Sequence, residues 1–506
     1  MSSCWAAPTH GSLPAAGNPL TTSNLPLAGS GERAVKPARR RILRRIMGYA
    51  LFRGTAEVML AIRGVLLAVL LGPAAFGTWA LLRLVMRYSS LIGLSVYRGL
   101  ELELLRKKGG SPASPGTFAP AALGFVLLLS GGLSLLGLTA SFLLPDQSHR
   151  VVLRGFAAAG LAEAIFGYAL VCTRVRGSLR LYSLLESGVS VLHVVCAVAL
   201  ASVWGLSGAL VGLTLANVLG IAAAARWLEL RPTIDPQRVR RMLEVGLPVV
   251  LSLAAGIALG TGDRWVVAIW GGPTMLGYYA FAGSVTTVAG ALALVVRTVV
   301  FPQVYGEATA NGAAAALQAH LERALLPYAR LLPPLLGGLS LALGPVVLQA
   351  VPSYREAIAP GRVFLLAGVA MGLVNLASIG AVAAGRQRQL PLYAGSALVL
   401  TFALSIVALL SGYGLGSVAA ATFAGHLVFA ALVLRLNVRE AGVREPGRFV
   451  ATILLPLVWC TGAVGLVGQV IPGLDFRSTA MAFALYLLLL APLIPGWTKE
   501  LQRIRH

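Results

Sequence analysis

The amino-acid sequence predicts an all-α polytopic membrane protein of about fourteen transmembrane helices, arranged as two six-helix lobes in parallel repeat plus a C-terminal helix pair. Three observations predict it. Of 506 residues, 57% are hydrophobic and only 12% charged, half of the roughly 25% charge typical of soluble domains, so too little polar surface is left to coat a water-exposed fold. Apolar runs long enough to cross a bilayer core of about 30 Å, roughly 20 residues each, recur along the whole chain. A short pattern near the start also returns 200 residues later. The runs are too long for barrel strands of about 10 residues, and helices satisfy their own backbone in lipid.

The elements follow in order. Residues 1–35 are rich in Ser, Pro, Gly and Ala without apolar periodicity, which predicts a disordered tail. A basic run, Lys36, Arg39, Arg40, Arg41, Arg44 and Arg45, ends this tail at residue 45, and an apolar run too long for a signal-peptide core follows directly. The expected spans are 46–70, 75–97, 118–144, 151–172, 182–203 and 206–226 in an N-terminal lobe covering 46–226. A C-terminal lobe covering 227–437 holds 245–262, 276–301, 325–350, 361–384, 391–411 and 415–436. Residues 438–506 add two helices, 449–471 and 478–496, and a short basic tail.

The net charge of +23, from 41 Lys+Arg against 18 Asp+Glu, would suggest nucleic acid on a soluble chain. Here it sorts by side. With the amino terminus inside, 29 basic residues fall on the inner side and five outside, namely Arg150, Arg264, Arg355, Arg362 and Arg477. This asymmetry predicts a multi-pass protein of the cell (inner) membrane with both termini cytoplasmic, and no nucleic-acid partner. The four cysteines are scattered and form no metal-ligand cluster. No metal site and no cofactor are expected.

The repeated pattern is Gly72-Pro73, Phe76-Gly77 and Trp79-Ala80 against Gly272-Pro273, Gly277-Tyr278-Tyr279-Ala280. A second pair agrees: Gly205-Leu206-Ser207-Gly208-Ala209 opens the sixth span as Gly414-Leu415-Gly416-Ser417-Val418 opens the twelfth. Gly-Pro by itself only punctuates turns, but matching aromatics, order and offset point to duplication. Six spans per copy is an even number, so both copies start on the same side, and such repeats place a substrate site between them.

With Tyr88-Ser89-Ser90-Leu91, Asp263-Arg264, Phe301-Pro302, Pro352-Ser353-Tyr354 and Gly385-Arg386 added in order, the chain resembles the polysaccharide and O-antigen (Wzx-type) flippases of the multidrug/oligosaccharidyl-lipid/polysaccharide exporter superfamily. The resemblance covers residues 46–437. It implies a flippase carrying an undecaprenyl-pyrophosphate-linked oligosaccharide, such as an O-antigen or exopolysaccharide repeat unit, from the cytoplasmic to the outer leaflet by alternating access. The partners it implies are that lipid-linked glycan, membrane lipids and polysaccharide polymerase machinery.

Charged residues inside spans are expensive and should face protein or a wet cavity. Arg53 and Glu57 are four apart on the first span, as are Arg83 and Arg87 on the second, so each pair shares a helical face. Neighbouring guanidinium forks suit pyrophosphate oxygens. Arg53, Arg83, Arg87 and Arg297 are the candidate pyrophosphate ligands, Arg297 by the resemblance to lipid II flippases, whose cavity arginines lie on the first, second and eighth helices. The structural alternatives are an intrahelical Arg53–Glu57 ion pair, pairing of Arg83 or Arg87 with Glu57 or Glu163, and snorkelling of Arg297 at the cytoplasmic end of its span. Glu57 and Glu163 are candidate coupling or structural groups, and the role of Arg63 stays open. Asn217, Asn375 and His426 are expected to join helices.

A multidrug or toxin antiporter of the same superfamily is the alternative function, but cationic cargo and coupling ions want carboxylates where these spans offer arginines. A lipid II flippase is a further one. A membrane enzyme would need a large outer loop with catalytic groups, so no enzyme activity is expected.

Overall fold

The structure, a computed structural model, describes residues 31–107, 118–176, 179–228 and 231–494. Residues 31–45 belong to a unit of their own and are helical, not irregular, as the Ala, Arg and Leu they carry favour. Residues 46–506 form the other unit, helical with no strand among the described residues.

Three continuous helical stretches are each broken by one glycine, at Gly72 (φ 71°, ψ 170°), Gly205 (φ 58°, ψ −136°) and Gly272 (φ 76°, ψ −178°). Positive φ is a conformation that side chains with a Cβ resist, and at the first and third breaks a proline follows to open the next helix with its fixed φ. Counted with these breaks, and leaving aside the eight-residue helix Ala313–His320, fourteen helices run in order among the described residues from position 46 on. They are α1 (46–71), α2 (73–107), α3 (Phe118–Leu143), α4 (Gln147–Arg176), α5 (179–204), α6 (206–224), α7 (236–271), α8 (273–311), α9 (Leu326–Ala350), α10 (Ile358–Ala383), α11 (Leu390–Leu410), α12 (Leu415–Glu440), α13 (Pro446–Val470) and α14 (Phe476–Leu489). The broken glycines are those of the repeated pattern, and Gly414 (φ 79°, ψ −179°) precedes α12 as Gly205 precedes α6. The duplication is thus visible in backbone torsions.

One expected loop is absent. Residues 263–275 were expected to join spans seven and eight outside the membrane, yet α7 continues to 271 and α8 starts at 273. Asp263 and Arg264 look like loop residues by charge alone, but Asp263 is buried with its carboxylate satisfied by side chains of α8 and α12. Arg264 is therefore a helical residue and not one of the outer-loop arginines. Outside the spans, Asp475 caps α14, accepting from the Arg477 and Ser478 amides. The hydroxyl and amide of Ser478 hold its carboxyl below the usual range.

The largest core surrounds α10, which is apolar on every face and packs against α9, α12 and the α7–α8 stretch. Small residues set some of the helix spacings. A Cβ at Gly208 would lie 2.0 Å from the Leu200 carbonyl oxygen and one at Gly212 2.4 Å from that of Cys196, so this GxxxG motif joins α5 and α6 backbone to backbone. Gly256 and Gly260 carry the same spacing but face open space. They are no packing motif.

Candidate functional site

Five helices of the first copy each send one polar side chain to a common cluster. Arg83 on α2 faces Glu163 on α4 in a fork, Nη1 donating to Oε2 at 2.5 Å and Nη2 to Oε1 at 3.5 Å, both side chains about a third exposed. Arg63 on α1 is buried, and its charge acts on those of Arg83 and Glu163. Its Nε and Nη1 have no hydrogen-bond partner. Trp79 of the repeated pattern lies against it, the guanidinium carbon 5.7 Å from the ring centroid, within cation–π range. His193 on α5 pairs with Asn217 on α6 at 3.0 Å and feels the charges of Glu163, Arg63 and Arg83. The cluster thus holds two guanidinium groups and one carboxylate, with Arg83 paired to Glu163 and buried Arg63 left with unpartnered nitrogens, an excess of positive charge that an anion would offset.

The predicted residues fare differently. Arg83 takes the carboxylate partner that was its structural alternative. Arg87, one turn on, is exposed. Arg297 on α8 donates to Asn375 Oδ1 on α10 at 3.4 Å, which ties the two helices together and makes Asn375 the interhelical link expected of it. The side chains of Arg53 and Glu57 lie outside the described residues.

The second copy holds a counterpart. Asp263 stands 200 residues after Arg63, and Tyr279 the same distance after Trp79. Here the contact is a hydrogen bond: the Tyr279 hydroxyl donates to Asp263 Oδ2 at 2.6 Å, and the Thr422 hydroxyl to the same oxygen at 2.7 Å. His426, one turn beyond Thr422 on α12, is buried with both ring nitrogens unpartnered. The same position of the repeat is therefore basic in one copy and acidic in the other. The sequence places Arg63 inside the first span with its role open and puts Asp263 in an outer loop, although the offset that links positions 79 and 279 also links these two.

The copies meet at both ends of α2. At the Gly-Pro end, a Cβ on Gly77 would lie 1.7 Å from the Pro273 carbonyl oxygen, and one on Gly277 1.9 Å from that of Pro73. At the opposite end, a Cβ on Gly99 would lie 2.0 Å from the Met242 oxygen of α7, and one on Gly246 1.9 Å from that of Ser95. Arg241 of α7 also pairs with buried Glu103 of α2 at 3.1 Å. Backbone touches backbone at both ends, leaving no room for even a methyl group.

A family model described as polysaccharide biosynthesis protein matches residues 154–351. In a sequence search, no curated protein matches the chain. Among solved structures, the lipid II flippase MurJ in an inward closed conformation superposes with a TM-score of 0.66 at 12% identity, over 90% of this chain and 99% of that one. An inward-facing multidrug resistance MATE family transporter gives 0.53 at 15% identity, over 79% and 96% of the two chains. A MATE transporter from Vibrio cholerae gives 0.53 at 13%, over 80% and 98%. At these identities the superpositions show a shared fold. Residues 154–351 thus match the polysaccharide biosynthesis protein model, on a fold held in common with the lipid II flippase and the MATE transporters.

Proposed function

We propose that the chain is a flippase for an undecaprenyl-pyrophosphate-linked oligosaccharide, moving a polysaccharide repeat unit from the cytoplasmic to the outer leaflet of the cell membrane by alternating access. The observation that carries this reading is the Arg83–Glu163 pair together with buried Arg63, whose Nε and Nη1 have no hydrogen-bond partner. A pyrophosphate entering there takes Arg83 from Glu163 and supplies the partner that Arg63 lacks, because phosphate oxygens accept from guanidinium forks bidentately. Arg53, Arg87 and Arg297 are assigned to the same anion on its path. The excess positive charge argues against cationic drugs as cargo. Lipid II would suit the same arginines, but the match to polysaccharide biosynthesis proteins favours a polysaccharide repeat unit.

Contacts at both ends of α2 fit an occluded intermediate of the cycle, in which rocking of one copy against the other opens one end at a time. With the termini inside, a pyrophosphate of about two negative charges moving outward gains roughly 2.3 kcal/mol per charge per 100 mV of inside-negative potential. Transport then needs no nucleotide. The test is deletion of the gene: lipid-linked glycan is expected to accumulate in the inner leaflet, and normal glycan export in the deletion strain refutes the reading.

A further inference from the structure

We propose that a cavity beside this cluster, enclosed by α2, α3, α4 and α5, is the subsite for the sugar residues next to the pyrophosphate. The inference rests on the flippase reading and adds to it where the glycan lies. The cavity holds about 310 Å³, at the lower end of the range for small-molecule sites. Glu163 lines it, as does the Arg174–Glu101 pair, and α4 rises about 16 Å between Glu163 and Arg174 at 1.5 Å per residue.

Its polar lining combines hydroxyl oxygens with the charged side chains of Arg98, Glu101, Glu163 and Arg174. Ser89, Ser90 and Ser134 donate their hydroxyl protons to the carbonyls of Met86, Arg87 and Ala157 at 3.1, 2.9 and 2.8 Å, and the Tyr97 hydroxyl donates to Ala164. A hydroxyl whose proton is committed still has lone pairs to accept with. These hydroxyls therefore offer acceptors, joined by the carboxylates of Glu163 and Glu101. Arg98 and Arg174 also line the cavity, both paired with Glu101, so donors stand beside the acceptors, a mixture that suits a polyhydroxylated ligand, whose groups both donate and accept. Sugar hydroxyls donate to these acceptors, while the ring's C–H faces lie on the apolar remainder of the wall. Glu163 is both cavity wall and partner of Arg83, so a pyrophosphate seated at Arg83 delivers the sugar bonded to it directly into this space. Gly160 marks the open floor, since a Cβ there would meet nothing within 4 Å.

The test uses the full-length protein in nanodiscs and two probes, a polyprenyl pyrophosphate bearing N-acetylglucosamine and the same polyprenyl pyrophosphate without sugar. Wild type is expected to bind the sugar-bearing probe at least tenfold more tightly, and Gly160→Leu to erase that preference while leaving the bare probe's affinity unchanged. Ser130→Leu, on the facing wall, is expected to do the same, which keeps the test sound if the first variant folds poorly. Equal binding of both probes by wild type, or a preference that survives both substitutions, overturns the sugar subsite and leaves the flippase reading standing. Failure of wild type to bind either probe overturns the flippase reading and this inference with it.

Discussion

Replacing Gly77 by alanine perturbs the contact that closes the Gly-Pro end. A Cβ there would lie 1.7 Å from the Pro273 oxygen, and ordinary contact begins at 3.4 Å, so α2 and α8 must part by about 1.7 Å. Overpacking of this kind costs about 1–3 kcal/mol, and here both partners are backbone, with no rotamer to escape into. Alanine also favours helix over glycine by about 1 kcal/mol, but that gain is common to every form in which α2 is helical and cancels between them. The form with touching turns is therefore disfavoured by about 1–3 kcal/mol against any form with separated turns, a population shift of roughly 5- to 150-fold. Spin labels at Ala74→Cys and Thr274→Cys, exposed and equivalent in the two copies, read this shift in nanodiscs as growth of a longer-distance population. Gly277→Ala should do the same. One separation relieves both clashes, so the double variant should cost little more than either single, a non-additivity expected only of residues sharing one contact. An unchanged distance distribution in the single variants, or additive costs in the double, would refute the reasoning.

Three further outcomes are expected, all read from melting temperatures in detergent. Tyr279→Phe removes a donor from the buried Asp263 carboxylate and should cost about 1.5–3 kcal/mol, the range for hydrogen bonds to charged groups; an unchanged melt would mean that Thr422 alone suffices. Glu163→Gln leaves Arg83 and nearby Arg63 without a carboxylate and should cost about 1–3 kcal/mol, less than the 3–5 of a fully buried pair because the Arg83 and Glu163 side chains are partly exposed. Adding Arg63→Gln should recover part of that loss. Gly208→Ala should lower the melting temperature by overpacking α5 against α6, whereas Gly256→Ala, facing open space, should not; equal effects would contradict the distinction between the two motifs.

The helices were legible in the sequence because hydropathy and length are properties of each segment by itself. The breaks were legible too, since Gly72-Pro73 and Gly272-Pro273 carry their own torsional preference. The boundary at 263–275 was misread for the opposite reason: Asp263 is tolerated inside α7 only because Tyr279 and Thr422 reach it from two other helices, and no local signal announces such partners. The same holds for the arginines. Arg83 was singled out from its spacing to Arg87, but spacing along one helix cannot reveal that Glu163, 80 positions away, pairs with Arg83. Arg63 carried no pattern of its own, and its significance comes from Trp79, Arg83 and Glu163 arriving around it.

At the Gly-Pro end, Gly77 meets Pro273 while Gly277 meets Pro73. That is the reciprocal pairing of an isologous interface, in which two identical subunits apply the same patch to each other. A half-length ancestor could have made this contact as a homodimer, with nothing added. Fusion into one chain keeps the contact and lifts the identity that a homodimer imposes, so position 63 can become a base while position 263 becomes an acid. A symmetric dimer would have carried two buried bases or two buried acids; only the fused pair can hold one of each.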